Sequence, residues 1–387
     1  SFLGHAQGAA GILELIVTVL GMENALLPCT MGFTTPRPRC PRDPVAGDAP
    51  RPGAFAHALS LSSAFGGANA AILVSREPGP AVARSPKRVW VVGAALVGPG
   101  GVDLADAVRG RLPLRGRAAG LSIAHVVRGV DPRGVDRLTT MMAVAVQRAL
   151  ASAAIDLRAR ERDRVGLFVG QIRAATEAER EFRSSIDERG LARLSAPAFS
   201  RVVLNACAGA VTRMFDLRGP VTAMTSGASS GTCVVALAAD YLSQHHDVDT
   251  IIAVGASEAA EGATEDAEGA CALGLTTRGE PRPWAELTGW ALGLERREVG
   301  SRALGSERGW AEARTIEAAD ACSDRGGLGG ALSCALAAES VRRGSAPLVV
   351  VMDDRASTKA AVAFAVPAPI EGNTPGTTAS PTGDQRE

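Results

Sequence analysis

The chain has 387 residues, of which 46% are hydrophobic and 21% are charged, a composition that supplies a sizeable core and excludes wholesale disorder. Lysine plus arginine balances aspartate plus glutamate at 41 each, so the formal net charge is zero. With no excess of positive charge and only 4% aromatic residues, neither a nucleic acid nor an anionic membrane is an expected partner. The seven cysteines include no CxxC pair, which favours buried free thiols and a cytoplasmic protein.

The first block, residues 1–74, begins with a helical pattern over residues 6–21 that is too polar for a transmembrane helix. After a proline-rich loop, two strands are predicted at residues 56–62 and 70–74. Because the chain begins with serine instead of methionine, we expect it to be part of something longer.

The second block, residues 75–88, has the mixture of proline, glycine and charge that is typical of a linker. The third block, residues 89–367, alternates strands and helices, which predicts a parallel sheet covered by helices on both faces. Residues 368–387 have no periodicity and are expected to form a disordered tail. The predicted elements of the third block are strands at 89–97, 165–169 and 250–254 and helices at 135–154, 196–215 and 231–243.

A loose repeat links the two ends of the chain. The repeated unit consists of a glycine-rich turn, a helix of small residues and a proline before a strand. It occurs near the start of the chain and again over residues 326–350. Two copies of one unit suggest two related domains in tandem, the first represented only by its end.

His5 is the strongest candidate for chemistry in the first block. It lies on a glycine-rich turn before a predicted helix, whose N-terminus supplies unpaired N–H donors and partial positive charge. A histidine held there stays neutral and can donate a hydrogen bond to a developing oxyanion. The alternative from the local pattern is that His5 only caps the helix.

Two motifs of the first block resemble β-ketoacyl synthases. SFLGHAQGAAG, which contains His5, is similar to the family's GHxxGAAG segment, and SSAFGGANA is similar to its FGGxN turn. The resemblance implies that His5 is the second histidine of a Cys-His-His triad. It also implies that Phe65, Gly66 and Gly67 gate the acyl pocket.

The third block resembles a ketosynthase that has lost its triad. TSGASSG lies where the family has its nucleophile, and this alignment puts Ala228 at the cysteine position. An alanine side chain cannot attack a thioester. Cys233, five residues later, is expected to be a small core residue. The HGTxT segment that carries the first histidine has no counterpart, and the residue equivalent to His5 is expected to be Gly326 or Gly327.

Such a degenerate ketosynthase resembles a chain-length factor, the non-condensing partner of a true ketosynthase. The resemblance implies a thiolase-like α/β fold with αβαβα layers, in which residues 1–74 are the end of a ketosynthase domain and residues 89–367 a chain-length-factor-like domain. It also implies decarboxylative Claisen condensation of acyl and malonyl thioesters carried on the phosphopantetheine of acyl carrier protein, with no metal and no other cofactor. The expected partners are acyl carrier protein and a ketosynthase part that is upstream or separate.

Two other functions stay open. One is a non-catalytic scaffold kept for assembly. The other is a degradative thiolase, which is less favoured because thiolases carry a second cysteine near the C-terminus and the Phe65 turn has none.

Two further expectations concern the acidic residues and the surface used for pairing. The acidic residues Glu258, Glu261, Glu265 and Glu268 are predicted to face solvent or an interface, and Asp353 is predicted to lie in an exposed turn. Ketosynthase-like folds pair through the edge strand beside the nucleophile, which here is residues 220–224. We therefore expect a dimer that uses this strand and the apolar helix after it, residues 231–241.

Overall fold

A computed structural model gives the structure of the chain, and its contacts divide the chain into two compact units, Ser1–Arg84 and Ser85–Glu387. Each unit is described by itself. No helix within the described ranges is both long and apolar enough to cross a membrane. The structure describes residues 3–39, 43–65, 67–79, 85–110, 114–119, 121–126, 134–158, 161–259, 262, 265–279, 283–293, 296–304, 314–317, 327–353 and 358–367. The predicted tail, residues 368–387, therefore lies outside the described residues.

Unit 1 contains one α-helix, a β-hairpin and a separate pair of two-residue strands. Helix α1 packs on strand β3, and β3 pairs with β4 in antiparallel register. The predicted helix and two strands are confirmed, with ends shifted by a few residues. The elements are α1 (Ala10–Asn24), β1 (Leu26–Leu27), β2 (Arg51–Pro52), β3 (His57–Ser63) and β4 (Asn69–Ser75).

Unit 1 leaves much of its apolar surface uncovered. On α1, Ile12, Ile16 and Leu20 follow one another at four-residue spacing on one helix face, and each is about half exposed. On the hairpin, Leu59 and its cross-strand partner Leu73 are 58% and 67% exposed. Among the described residues of this unit, the buried apolar side chains are Met22 and Cys29, too few for a core.

Unit 2 contains the large sheet. Its helices are α2 (Leu104–Val108), α3 (Arg137–Ser152), α4 (Thr176–Arg189), α5 (Ala196–Phe199), α6 (Ala206–Phe215), α7 (Ser230–Gln244), α8 (Arg296–Leu304) and α9 (Leu328–Arg342). Its strands are β5 (Val89–Val97), β6 (Val165–Gly170), β7 (Val221–Met224), β8 (Thr250–Ser257), β9 (Gly269–Thr276), β10 (Ala285–Gly293), β11 (Arg314–Glu317), β12 (Leu348–Asp353) and β13 (Lys359–Ala365).

The sheet of unit 2 is mixed, so the prediction of a parallel sheet is wrong. The strand order is β11-β12-β13-β10-β5-β9-β8-β6-β7. The parallel pairs are β6 with β7, β6 with β8, and β11 with β12, and the other pairs are antiparallel. Parallel neighbours need a crossover, which helices supply here: α4–α6 before β7, α7 before β8 and α9 before β12. The connections from β8 to β9 and from β12 to β13 contain no described helix, and those pairs are antiparallel.

Five layers follow from the contacts of the helices. Helix α3 packs outside β5, β9 and β8, and α8 packs outside β10 and β13. Helices α7 and α9 contact each other and strands of both halves of the sheet. The order is therefore α3, one half of the sheet, α7 with α9, the other half, and α8. The predicted αβαβα layering is confirmed for unit 2.

The structure places α7 inside unit 2, which contradicts the prediction that this helix lies at a dimer interface. Eleven of its fifteen residues, from Ser230 to Ser243, are buried against the strands and against α9 within unit 2. The helix is apolar on nearly every side because it lies between two β layers, so its composition is not evidence for a dimer. Strand β7 does lie at an edge of the sheet, as predicted.

The structure has two helices, α5 and α6, where the sequence predicts one helix over residues 196–215. Ser195 caps α5 through a hydrogen bond from the Ala198 backbone N–H to its Oγ. The chain then leaves the helical path after Phe199 and begins α6 at Ala206. The carbonyl of Leu204, in the break, accepts a hydrogen bond from Gln171 at 2.8 Å, so the packing of this loop on β6 replaces a continuous helix.

Candidate functional site

His5 lies on an exposed turn before the helical segment of unit 1. A 3-10 turn, Gln7–Ala9, leads into α1, and alanines occupy the N-cap positions of both elements without a side-chain cap. The residue before His5, Gly4, has a φ of +70°, a backbone conformation that favours glycine. Since alanines hold the capping positions, the geometry does not support His5 as a helix cap.

The second predicted motif forms the turn of the β3–β4 hairpin. The Ala64 N–H donates to the Ala68 carbonyl, and Asn69 donates to the Gly67 carbonyl at 3.1 Å. Gly67 has a φ of +92°, which explains glycine at this position. Phe65 is 52% exposed at the tip, and Gly66 lies outside the described residues.

The two motifs are brought to the same end of unit 1. Gly11, in the first turn of α1, lies against Ser62, near the end of β3. A Cβ atom on Gly11 would be 2.8 Å from the Ser62 Oγ. This close approach puts the start of α1, with the His5 turn before it, beside the turn that carries Phe65. The structure therefore unites segments that are about 60 residues apart in the sequence.

In unit 2 the segment between β7 and α7, where the sequence resemblance puts the degenerate nucleophile position, is a tight turn. The Ser226 N–H donates to Ser230 Oγ, which in turn donates to the Gly227 carbonyl at 2.6 Å, and Gly227 has a φ of +58°. Ala228 lies in this turn, half-buried, two residues before α7. A methyl group at this position cannot react with a thioester.

Cys233 does not replace the missing nucleophile. Its side chain is fully buried in α7, and burial raises the pKa of its thiol to about 11, so the reactive thiolate is scarce at neutral pH. The expectation that Cys233 is a core residue is confirmed. The other cysteines that the structure describes, Cys29, Cys207, Cys271 and Cys334, are also free and buried.

Asp353 is a functional candidate that the sequence analysis placed wrongly. It lies at the end of β12 and is completely buried. Its carboxylate accepts hydrogen bonds from Ser229 Oγ at 3.2 Å and from Thr232 Oγ1 at 3.0 Å. It thereby ties the start of α7 to the opposite half of the sheet. The only sequence signal for this residue is an aspartate at the end of an apolar run, and that pattern also fits an exposed turn after a strand.

The acidic segment after β8 is also more buried than predicted. Glu268 is completely buried and forms a bidentate ion pair with Arg137, at 2.7 and 2.8 Å, while accepting a hydrogen bond from the Ala118 backbone N–H at 3.0 Å. Glu258 is 9% exposed. Glu265 alone fits the expectation, since it is exposed and pairs with Arg115. Glu261 lies outside the described residues.

The loose repeat corresponds to a shared structural element. Helices α1 and α9 both have fifteen residues, and each precedes an antiparallel hairpin. Gly11 of α1 lies against Ser62 of the first hairpin, and Gly330 of α9 lies against Asp353 of the second, where a Cβ would be 2.9 Å from Asp353 Oδ2. Aligning Gly11 with Gly330 places Asp324, not Gly326 or Gly327, opposite His5, so the second copy still has no histidine there. Asp324 lies outside the described residues.

The same alignment pairs Gly8 with Gly327, and their surroundings differ. A Cβ on Gly327 would be 2.0 Å from the Gly170 carbonyl oxygen, at the end of β6. The Gly327 carbonyl oxygen would itself be 1.9 Å from a Cβ on Gly231, in the first turn of α7. Gly8, in contrast, would place a Cβ in open space, with nothing within 4 Å. In unit 2 the glycine turn is therefore packed against the end of β6 and against α7, whereas in unit 1 the position equivalent to the β6 contact is open within the described residues.

Two family models match the chain. The model described as the C-terminal domain of β-ketoacyl synthase matches residues 1–34, and the model described as the N-terminal domain matches residues 118–285. The C-terminal model thus precedes the N-terminal one along this chain.

Curated relatives match over a short part of their length. A 3-oxoacyl-[acyl-carrier-protein] synthase 2 of Mycobacterium tuberculosis is 42% identical over 76 residues, which is 20% of this chain and 18% of that protein. The tetracenomycin polyketide synthase ketoacyl synthase alpha subunit of Streptomyces glaucescens is 37% identical over 76 residues, with the same coverage. The chain therefore spans about a fifth of the length of the curated relatives it matches.

Solved structures share the fold at low sequence identity. The PfaC keto synthase-chain length factor has a TM-score of 0.66 at 12% identity, and the match covers 93% of this chain and 52% of that one. The AntDE:AntF complex of a type II PKS acyl-carrier protein with its ketosynthase gives a TM-score of 0.63 at 14% identity, over 73% of this chain and 99% of the other. These likenesses establish a thiolase-like fold for the chain. Because the family's two domain models match it as well, the chain belongs to the β-ketoacyl synthase family.

Proposed function

We propose that this chain joins the end of one ketosynthase domain to a chain-length-factor-like domain, in an assembly that elongates acyl chains. The reaction is decarboxylative Claisen condensation of acyl and malonyl thioesters carried on acyl carrier protein, in polyketide or fatty acid biosynthesis. Within it, His5 donates a hydrogen bond to the malonyl thioester carbonyl as the enolate forms. Phe65, Gly66 and Gly67 gate the acyl pocket beside it.

The observation that carries this proposal is the order of the two family matches. A C-terminal segment at residues 1–34 followed by an N-terminal domain at residues 118–285 is the order of two ketosynthase-like domains in tandem. The PfaC structure, whose description names a keto synthase and a chain length factor together, covers 93% of this chain. The degenerate elbow at Ala228 supports a non-condensing second domain.

Exposed features of unit 1 support the proposal that it pairs with a further ketosynthase part. The open space at Gly8 corresponds to the position where the end of β6 packs against Gly327 in unit 2, and α7 contacts the Gly327 carbonyl oxygen next to it. The exposed stripe of Ile12, Ile16 and Leu20 would give such a helix its apolar contact. A nucleophile elbow that docked there as α7 docks on α9 would bring its cysteine beside the His5 turn.

Replacing His5 in the complete assembly tests the catalytic proposal. We expect His5→Ala to lower the condensation rate about 100- to 1000-fold, the usual effect of removing one oxyanion donor. The matched control is His57→Ala, since His57 is also an exposed histidine of unit 1 and bonds Ser75 Oγ at 2.9 Å, away from the turn. A near-normal rate for His5→Ala, with acyl and malonyl carrier protein as substrates, would contradict the assigned role.

The non-catalytic scaffold makes the opposite prediction for the wild-type assembly. If unit 1 and the ketosynthase part that pairs with it are kept only for assembly, the wild-type assembly will pair normally but form no β-ketoacyl product. Detection of that product by mass spectrometry excludes the scaffold, and its absence from a correctly assembled complex excludes condensation.

A further inference from the structure

One side chain bridges the turn between β3 and β4. Ser63 and Asn69 are the last pair in the register of the hairpin, and the residues between them form the turn. The Ser63 Oγ donates to the Asn69 Oδ1 at 2.8 Å, and the Asn69 Nδ2 donates to the Gly67 carbonyl at 3.1 Å. Both ends of the Asn69 amide are therefore engaged by the hairpin that carries it.

The two bonds of Asn69 require an amide at this position. A carbonyl oxygen can only accept, so the end of the side chain that faces Gly67 must be nitrogen. The other end is then oxygen, which suits the Ser63 hydroxyl as donor. An aspartate has nearly the same shape but offers only acceptors, and its carboxylate would face the Gly67 carbonyl with a negative charge.

Backbone bonds continue from Gly67 around the turn. The Gly67 N–H donates to the Ala64 carbonyl at 3.2 Å, and the Ala64 N–H donates to the Ala68 carbonyl at 2.9 Å. Phe65 follows Ala64 directly and comes two residues before Gly67. Asn69 thus holds the carbonyl of the residue whose N–H closes the turn around Phe65.

Two adjacent serines connect this turn to the start of α1. Successive side chains of a strand point to opposite faces of a sheet. Ser62 lies against Gly11 of α1, whereas Ser63 bonds Asn69. The end of β3 therefore carries the contact to α1 on one face and the bond to the turn on the other.

We infer that Asn69 is a positioning residue, which fixes the turn that carries Phe65 and is itself held by Ser63. The inference rests on the proposed function, in which Phe65 gates the acyl pocket. Asn69 acts through Phe65, because it limits how far the tip of the hairpin departs from one position. Since its hydrogen bonds are exposed to water, their loss should disorder the turn without unfolding unit 1.

The first measurement needs no catalysis. Amide hydrogen exchange in the purified full chain reports opening of the turn at the Ala64 and Gly67 N–H groups. We expect Asn69→Ala to raise both exchange rates about tenfold, the effect of one lost hydrogen bond. Asn69→Asp should raise them at least as much, because its carboxylate repels the Gly67 carbonyl. Ser63→Ala, which leaves the bond from Asn69 to Gly67, should raise them less.

Asn24→Ala is the matched control for these exchange rates. Asn24 donates a similar exposed bond to the Leu20 carbonyl at 2.8 Å, at the far end of α1, so its loss should leave the turn unchanged. Unchanged exchange in both Asn69→Ala and Asn69→Asp would overturn the inference. If Asn69→Ala does not fold, as judged by circular dichroism, the exchange rates of Ser63→Ala decide.

The second measurement uses the complete assembly and separates the two roles proposed for unit 1. Asn69→Ala should raise the KM for acyl carrier-protein substrate about tenfold, while malonyl decarboxylation, the step that His5 assists, stays within about twofold. Equal loss of both reactions would indicate a general structural effect and would overturn the positioning role. If the wild-type assembly forms no product, the proposed function fails, and the exchange rates still decide whether Asn69 holds the turn.

Discussion

At the scale of single residues, Ala228 and Cys233 differ in their surroundings. The elbow turn presents the Ala228 methyl group two residues before α7, whereas Cys233 is enclosed inside the helix layer. A thiol at residue 228 would lie next to a helix N-terminus, whose partial positive charge favours the thiolate. On the proposed function, residue type limits reactivity at residue 228 and access to solvent limits it at Cys233.

Ala228→Cys tests this difference. We expect the introduced thiol to react with iodoacetamide on the order of 100-fold faster than Cys233, because the pKa of the Cys233 thiol is raised to about 11 by burial. Peptide mass mapping over a time course measures both sites in the same sample. Wild-type protein is the control, and rapid labelling of Cys233 in it would contradict the description of this cysteine as an inert core residue.

Asp249 is a second residue whose environment has a measurable consequence. Hydrogen bonds from Arg164, at 2.5 and 2.7 Å, and from Arg278 lower the pKa of its carboxyl to about 2. A carboxyl with a lowered folded-state pKa stabilises the fold above its unfolded pKa, about 3.9, and that stabilisation is lost as the pH falls toward 2. Both arginines are partly exposed, so solvent screening limits the contribution to roughly 1–2 kcal/mol.

We therefore expect wild-type protein to lose more stability than Asp249→Asn between pH 6 and pH 3, as measured by urea unfolding at each pH. The control is Asp156→Asn, since Asp156 forms an exposed pair with Arg158. Equal pH dependence in wild-type protein and Asp249→Asn would show that the ion pairs at Asp249 contribute nothing.

At the scale of elements, helix α7 depends on polar groups that are supplied by distant parts of the chain. Asp353 of β12 accepts hydrogen bonds from Ser229 and Thr232 at the start of α7, and all three residues are completely buried. Truncating a buried acceptor leaves its donors without partners, which typically costs 1–3 kcal/mol for each donor.

Asp353→Ala should therefore lower the free energy of unfolding by about 2–5 kcal/mol in chemical denaturation. Asp353→Asn, which keeps one acceptor oxygen, should lose less. Asp187→Ala, on the exposed side of α4, provides the control for loss of a charge. A loss below about 0.5 kcal/mol for Asp353→Ala would mean that the two hydroxyls find other partners.

The elements differ in how far the sequence predicts them. Continuous apolar runs made β5 predictable to the residue and β6 and β8 nearly so, because a strand buried on both faces leaves that pattern. The glycine motifs around His5 and Phe65 also predicted their turns. The burial of Asp353, Glu258 and Glu268 depends on segments more than 80 residues away, which no local pattern encodes. The same holds for α7, whose apolar surface did not reveal which elements would cover it.

At the scale of the whole molecule, the proposed function requires unit 1 to bind a further ketosynthase part. Its glycine turn has open space at Gly8, and its apolar stripe on α1 is exposed. Because nothing lies within 4 Å of a Cβ at Gly8, a larger side chain there should leave this chain folded.

Gly8→Val should nevertheless block association with the ketosynthase part that carries the nucleophile elbow. The counterpart contact at Gly327 leaves 2.0 Å to a backbone oxygen, far less than a side chain requires. Co-purification of the two parts measures the effect, and Gly79→Val, at another open glycine of unit 1, is the control. Normal pairing of Gly8→Val would show that the ketosynthase part does not dock on this turn as β6 packs on Gly327.

The two edges of the large sheet in unit 2 differ in a way that favours one of them for pairing. Strand β11 carries Glu317 at its end, and a charge on an edge strand opposes association with another sheet. Strand β7 forms the other edge, is half-buried and has no charged residue. An edge of that kind is an unprotected template for another strand, so we expect the dimer of this family member to form through β7.

Thr222→Arg, in the middle of β7, should split the dimer without unfolding the domain, because the side chain is half-buried and its strand pairs on one side only. Pairing of obligate subunits buries more than about 2,000 Å² in total, so the wild-type protein should sediment as a dimer at micromolar concentration. Thr315→Arg places the same charge in the opposite edge strand, β11, and should leave the dimer intact. A wild-type monomer, or a Thr222→Arg variant that stays dimeric with normal circular dichroism, would assign the interface to another surface.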